Sequence, residues 1–573
     1  MKVYSLGIRP LQAFRLGTDR NLAENSWCNF QIGFFWKFFS HRPNSATHLA
    51  SQRQPMPVCN CGPDCHNSSL SMAVRVTLPS SNNNSNQRST SSYRTKFFSD
   101  VEDSHQEKSN YSKAMGNSCQ ETPPLLLQDL KVTIHQASMI FPSKETHNNK
   151  NNNNNNNNKS LFLSNIDKVL NFDVETVHFF AANKDYPSSK VAQKLKDALE
   201  DALVAYEFLG GRMKMNSETG RLEIICNGEG AGFVVASCDY RLDEIGDLAF
   251  PNPAFAQFVH KSKDFLKHGD SPLCVAQITS CKCGGFVIGF TTSHTTFDGL
   301  SFKTFLDNLA ALASNKRMPV IPSHDRHLLA ARSPPRVTFP HPEMLDLGEF
   351  PTSAEAGVFE ASSEELHFKV FHLTTDNINR LKEKAKDSNV NSRVTGFNVV
   401  TALVWRCKAL SFSPPDPNRS STILYAVDIR SRLSPPLPKS YAGNAVLTAY
   451  ATAKCEVLEK GSFAKLVEMV SEGAKRMNDE YARSIIDWGE LHNGFPSGEV
   501  LVSSWWRLGF EEVEYPWGKP RYCCPVVYHR KDIILLFPPV AGSDGTDNGI
   551  NIIVALPPKE MEKFKNFFYE FLI

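Results

Sequence analysis

Cys283–Leu300 reads CGGFVIGFTTSHTTFDGL. Phe286–Thr292 is a short, mostly apolar run behind two glycines, the pattern of a buried strand, and Gly299–Ala313 carries apolar residues at helical spacing. A strand therefore ends and a helix begins within His294-Thr295-Thr296-Phe297-Asp298-Gly299. A histidine just past a buried strand is held rigidly at the strand's carboxyl end, where α/β proteins tend to bind ligands. A carboxylate follows at the same turn, so the segment offers a general base with an acid nearby. A histidine with an aspartate four places on also arises by chance in long chains, and the pattern needs context to mean chemistry.

Working outward, Leu273–Thr279 and Phe286–Thr292 flank Cys281-Lys282-Cys283-Gly284-Gly285 and predict a hairpin whose cysteines are turn and core residues. Further upstream, the run from Lys131 to Ile140, Val174–Phe180, Leu222–Cys226 and Phe233–Ser237 read as strands. Ser188–Phe208 reads as an amphipathic helix stopped by Gly210-Gly211. The asparagine run Asn151–Asn158 reads as a polar surface insertion, which costs little because loop-closure entropy grows only logarithmically. After Ala313 a Pro- and Ser-rich stretch, Met318–Ser363, holds little periodicity and marks a crossover. A second α/β unit follows, with strands predicted at Glu365–Leu373, Ser421–Asp428, Asp532–Phe537 and Gly549–Leu556. Its predicted helices are Thr375–Ala385, Gly396–Ser411 (with Trp405 as a core residue), Ala464–Asp479 and Lys559–Phe571. The domain expectation is therefore 1–118 extension, 119–317 first half, 318–363 crossover and 364–573 second half.

Composition excludes several classes. A hydrophobic content of 41% with 21% charged residues is that of a soluble globular chain. Lys plus Arg number 62 against 60 Asp plus Glu, a formal charge of +2, so no basic field recruits nucleic acid or an anionic membrane surface. The 14 cysteines are scattered and include the adjacent pair Cys523-Cys524, which suits a reducing compartment, and we expect a cytoplasmic protein. Cys59, Cys61, Cys65 and His66 fit no standard zinc spacing, and no metal is expected. Ile32–Phe39 is far short of the roughly 20 apolar residues a membrane span needs. Residues 1–118 carry Ser/Asn-rich tracts without sustained periodicity and read as a disordered extension. Arg9, Arg15, Arg20, Lys37 and Arg42 with few acids leave a transit-peptide reading beside it.

Three blocks stand in one order: His294–Gly299; then Asp428-Ile429-Arg430-Ser431-Arg432 with Pro435-Pro436-Leu437-Pro438 and Gly443-Asn444; then Glu514-Tyr515-Pro516-Trp517-Gly518 with Lys519-Pro520. They resemble the HxxxDG, DxRxR…PPLP…GN and DFGWG blocks of the BAHD acyltransferases, the plant acyl-CoA-dependent transferases, and the likeness covers about Leu127–Ile573. Leu161–Asp167 and Val404–Cys407 are similar to further segments of that family. The resemblance implies two α/β domains of the chloramphenicol acetyltransferase-like fold, with mixed sheets and an interdomain tunnel. Composition and periodicity alone support only the α/β class.

The resemblance also implies a chemistry. Acyl transfer from a thioester to an alcohol or amine needs a base for the nucleophile and a donor for the developing oxyanion. His294 is expected to be the base, with no covalent acyl-enzyme, and Trp517 the indole donor. Asp298 is either the orienting partner of His294 or a structural partner of Arg430 in the second half, and the structural reading is preferred because a side chain one turn past the histidine need not face it. Gly299 and Gly518 are expected to be structural at the site, and Ser503-Ser504-Trp505 matches the family's tunnel wall. Pro516 departs from the family glycine, fixing φ and removing a donor. Acyl-CoA enters as a substrate, so no cofactor is expected, and the protein is expected to act as a monomer on a small alcohol or amine. Lys519–Cys523 is similar to hydroxycinnamoyl transferases acting on long-chain hydroxy acids and alcohols; hydroxycinnamoyl and acetyl donors are the expectation. The alternative is a non-catalytic relative serving as a binding or accessory protein. A carrier-dependent condensation domain is disfavoured by Ser293, where such domains usually carry a second histidine.

Overall fold

Two six-stranded mixed sheets organise the chain. The computed structural model describes residues 129–143, 159–265, 270–348, 365–386, 394–526, 533–540 and 549–572. The extension 1–118, its Cys59–His66 cluster, the Asn151–Asn158 run and the later part of the crossover lie outside the described residues. The large-sheet strands are β1 (Val132–Ile140), β2 (Asp173–Phe180), β3 (Ala231–Cys238), β4 (Cys274–Cys281), β5 (Phe286–Ser293), β6 (His367–Leu373), β7 (Ser420–Asp428), β8 (Val446–Lys454), β9 (Val500–Ser504), β10 (Tyr522–Pro525), β11 (Ile533–Phe537) and β12 (Ile550–Leu556). The first sheet runs β1-β3-β4-β5-β2-β10 and the second β6-β12-β11-β9-β7-β8. Only β3–β4 are parallel in the first sheet, while β7–β9 and β9–β11 are parallel in the second.

The expected hairpin β4–β5 forms, its register running from Cys274 opposite Thr292 to Ser280 opposite Phe286. Its turn works because Gly284 adopts φ +81°, a conformation costly for a side-chain-bearing residue. Every residue of β5 is buried, consistent with a mostly apolar run that lacks a polar alternation.

Two helices, α1 (Ser188–Ala205) and α2 (Gly299–Ala313), bury apolar stripes on one face of the first sheet. Phe305 of α2 sits 5.1 Å from Tyr206 and 5.4 Å from Phe297, edge-on to the first and stacked on the second. Burying each such ring contributes roughly 1.5–3 kcal/mol. On the second sheet lie α3 (Thr375–Lys384), α4 (Gly396–Ser411), α5 (Phe463–Arg476), α6 (Asp479–Leu491) and α7 (Pro558–Leu572). The α4 core carries Trp405, fully buried, whose indole donates to Ser421 Oγ at 3.0 Å. Phe564 and Phe568 of α7 close over Phe371 at 5.3 and 4.6 Å.

The boundary of the second half needs one correction. Residues 364–573 do not all stay there: β10 pairs with β2, from Tyr522 opposite Phe179 to Pro525 opposite Thr176. It completes the first sheet by covering an edge that would otherwise expose unpaired backbone groups. Cys523 joins the apolar cluster on the helix side of that sheet, and Tyr522 and Cys524 join the one on the other side. No helix among the described residues is long and apolar enough to cross a membrane, and no group of three or more His, Cys, Asp or Glu among them is placed to hold a metal ion.

Candidate active site

The segment from Ser293 to Asp298 is fixed at nearly every polar atom. Backbone bonds run from Ser293 N to Leu273 O at 2.9 Å and from His294 N to Phe172 O at 2.8 Å. Ser293 Oγ and Thr295 Oγ1 lie 2.8 Å apart, and Thr296 Oγ1 donates to Ser293 O at 2.5 Å. Asp298 then caps α2, accepting from Ser301 N at 2.9 Å. Gly299 follows because the backbone is approached closely there: a Cβ would meet Leu508 Cδ1 at 2.7 Å.

The imidazole of His294 is half-buried, packed edge-on to Phe172 at 5.2 Å. Nδ1 is buried without a hydrogen-bond partner, which leaves Nε2 as the nitrogen to face a substrate. Burial pulls the ring's pKa below its ordinary value, opposed by backbone carbonyls, the charge of Asp298 and Asn444. The ring is therefore neutral at neutral pH, the form a general base requires.

Asp298 faces away from that ring. Its Oδ1 accepts from Arg430 Nη2 at 2.9 Å, and its Oδ2 accepts from Ala445 N at 2.9 Å. Arg430 also donates to Asp428 Oδ1 at 2.9 Å, to Ser301 Oγ at 2.8 Å and to Gly443 O at 3.1 Å. The carboxylate is thus the joint between the α2 cap and the DxR segment of the second sheet. Asn444, quoted in the same block but given no role by the sequence, donates from Nδ2 to His294 O at 2.8 Å.

Trp517 is elsewhere, which corrects its expected role as oxyanion donor. Its ring lies 6.4 Å from both Phe180 and Phe286 and stacks on Tyr515 at 5.0 Å. Phe286 opens β5 and His294 follows its close; eight residues at about 3.3 Å each put some 26 Å between them. A side chain cannot bridge that separation. The block is a structural turn: Gly518 N donates to Tyr515 O at 2.9 Å, Gly518 has φ +113°, and Pro516 occupies the second position, where a fixed φ and a missing N–H are tolerated. The proline therefore fits the loop that the sequence left in doubt.

Ser503, Ser504 and Trp505 are half-buried at the end of β9. From there the chain turns, with Leu508 N bonded to Trp505 O at 3.2 Å, and delivers Leu508 against Gly299. The tunnel-wall segment thus reaches the His294 turn from the second half. Trp505 packs 5.8 Å from Phe537, which with Leu535, Ile553, Leu248, Phe255 and Cys524 lines an apolar cleft contributed by both halves.

A histidine held on a two-half α/β frame, its aspartate tied to an arginine of the other half, defines an acyltransferase of the chloramphenicol acetyltransferase-like fold. Residues 130–571 match the family model described as the Transferase family. The chain is 58% identical over 464 residues to Acyltransferase GLAUCE of Arabidopsis thaliana, covering 80% of this chain and 100% of that protein. To the Omega-hydroxypalmitate O-feruloyl transferase of Arabidopsis thaliana it is 31% identical over 453 residues, covering 77% and 94%. Among solved structures, vinorine synthase shares the fold with a TM-score of 0.56 at 22% identity, over 76% of this chain and 96% of that one. The chain belongs to the BAHD acyltransferase family.

Proposed function

We propose that the protein transfers an acyl group from a coenzyme A thioester to a small alcohol or amine, with His294 as general base and no covalent acyl-enzyme. The observation that carries this reading is the half-buried His294 ring, neutral by desolvation on a turn fixed from both halves. Nε2 takes the proton as the acceptor's oxygen or nitrogen attacks the thioester carbonyl; the tetrahedral intermediate collapses, the C–S bond breaks, and the imidazolium returns the proton to the departing thiolate. General-base action of this kind is worth about 10²–10⁴ in rate. With Trp517 remote, oxyanion stabilisation falls to another donor, and we assign it to one of the Ser503 and Ser504 hydroxyls, which as neighbours on a strand point to opposite faces.

Burial in the apolar cleft pushes the Cys524 thiol up, so it stays neutral. We favour a hydroxycinnamoyl donor and a long-chain hydroxylated acceptor, the pairing named for the feruloyl transferase relative. We place the protein in the cytoplasm as a monomer of plant specialised metabolism, needing no cofactor. Purified protein is assayed for thiol release from acetyl-CoA and hydroxycinnamoyl-CoA with and without a panel of alcohols and amines. Acceptor-dependent release is the expected result; none with any pair would favour the non-catalytic reading.

A further inference from the structure

Arg326 belongs to the connection between the halves, on a single turn of 3-10 helix, Arg326–Leu329, yet its side chain is fully buried. Nη1 pairs with Asp167 Oδ1 at 2.7 Å, an aspartate equally buried, and donates to Thr295 O at 3.0 Å. Nη2 donates to Thr296 O at 2.9 Å. Asp167 is itself held from below, its Oδ2 accepting from Ser164 N at 2.9 Å and Ser164 Oγ at 2.7 Å. Asn444 Nδ2 bridges Asp167 Oδ1 at 2.9 Å and His294 O at 2.8 Å. The carbonyls of three consecutive residues, His294, Thr295 and Thr296, are thus each taken by one side-chain network drawn from three distant stretches of chain. The second half leaves room for it: a Cβ at Gly443 would meet Arg326 Nε at 2.6 Å.

A buried ion pair is weak evidence for stability, because desolvating two charges offsets their attraction and apolar side chains of similar size often do as well. An apolar pair could not hold the Thr295 and Thr296 carbonyls in a fixed direction. We infer that Arg326 is a positioning residue for acyl transfer: it fixes the His294 turn through the Thr295 and Thr296 carbonyls, with Asp167 and Asn444 as its supports. This rests on the reading of His294 as the base.

The pair also sets a charge balance beside the imidazole. The ionisable groups around the turn include Asp167 and Arg326, Asp298, Arg430 and Asp428, Tyr441, whose phenol burial keeps protonated, and Asp173, opposite Ser293 in the sheet. Removing Arg326 leaves Asp167 uncompensated, which favours the imidazolium and raises the pKa of His294. Replacing Asp167 by Asn leaves Arg326 uncompensated and lowers it.

The test uses the full chain, with the thioester and acceptor it turns over best, and the pH profile of kcat/KM. Arg326→Met should lower kcat about a hundredfold, as a displacement of about 1 Å at a catalytic group does, with KM for the thioester within about threefold. Its acid limb should move to higher pH, and that of Asp167→Asn to lower pH, each by about half a unit or more. The double variant should restore the limb and not kcat, because the carbonyls remain unheld. Arg326→Lys keeps the buried charge and carries the test should the methionine variant not fold: its limb should stay in place and its kcat fall between the other two. An acid limb present in the wild type and unmoved in both single variants would overturn the inference alone. A wild-type profile with no limb, or one that survives His294→Ala, would overturn the reading of His294 and this inference with it.

Discussion

Arg430 and Asp298 stand 132 residues apart in sequence and 2.9 Å apart in space, in a joint where the aspartate also caps α2. The side chains are 14% and 4% exposed, so neither charge is solvated well enough to stand alone. Breaking a buried pair by removing one partner costs about 3–5 kcal/mol. Asp298→Ala and Arg430→Ala should each destabilise by that order in denaturant melts, and the double variant by much less than their sum, since the second change removes the stranded charge. Additive losses would show that the two residues do not depend on each other.

His294→Ala should abolish turnover with little change in melting temperature, because the half-buried ring packs only edge-on to Phe172 among the aromatic rings of the described residues. Since burial lowers the ring's pKa, the base stays neutral, and the enzyme active, below the pH near 6.5 at which an ordinary imidazole gains its proton. Activity should be retained as pH falls through 6.5 and lost only below it. A variant within about tenfold of wild type would be inconsistent with general-base action worth about 10²–10⁴.

The strand, turn and helix around His294 were legible because each is local: an apolar run, two glycines, then helical spacing closing at Ala313. Helix α6 was not: the helix expected at Ala464–Asp479 stops at Arg476, and Asn478 caps a second helix that the periodicity did not bring out; the signal was Asn478 followed by Asp479 and Glu480. Strand β10 has four residues, too few to show a period, and its apolar side chains serve both faces of a sheet whose adjoining strand lies 345 residues earlier at Cys523–His178. The Asp298–Arg430 joint was visible only through resemblance. Arg326 and Asp167 were invisible even so, because a lone arginine in a Pro-rich connection reads as solvated until the fold buries it.

Trp517 offers a direct contrast between packing and chemistry. Buried against Phe180, Phe286 and Tyr515, it should cost about 3–5 kcal/mol of stability when cut to Ala. Trp517→Phe, which keeps a ring but removes the indole N–H, should retain kcat within a few-fold at temperatures where it is folded. Losing an oxyanion donor costs about 10²–10³ in kcat; a loss that large in the phenylalanine variant, with an unchanged melting temperature, would return Trp517 to the chemistry.

Glu175 on β2 lies one strand from the His294 turn, and burial pushes its carboxyl up to about 7, with Asp173 and Asp264 adding to the shift and Lys261 opposing it. In the unfolded chain the same group titrates near 4.3. Below about pH 4 both states are protonated and the residue is neutral toward stability. Between that pH and about 7 the unfolded state releases its proton more readily than the folded one, so a penalty grows as pH rises and is complete once the folded group has ionised. Glu175→Gln removes the charge while keeping the shape. It should therefore raise the melting temperature at pH 8 and leave it nearly unchanged at pH 4.5. An equal gain at both pH values would mean that the glutamine acts through packing, and a loss at pH 8 would mean that Lys261 already compensates the carboxylate in the folded protein.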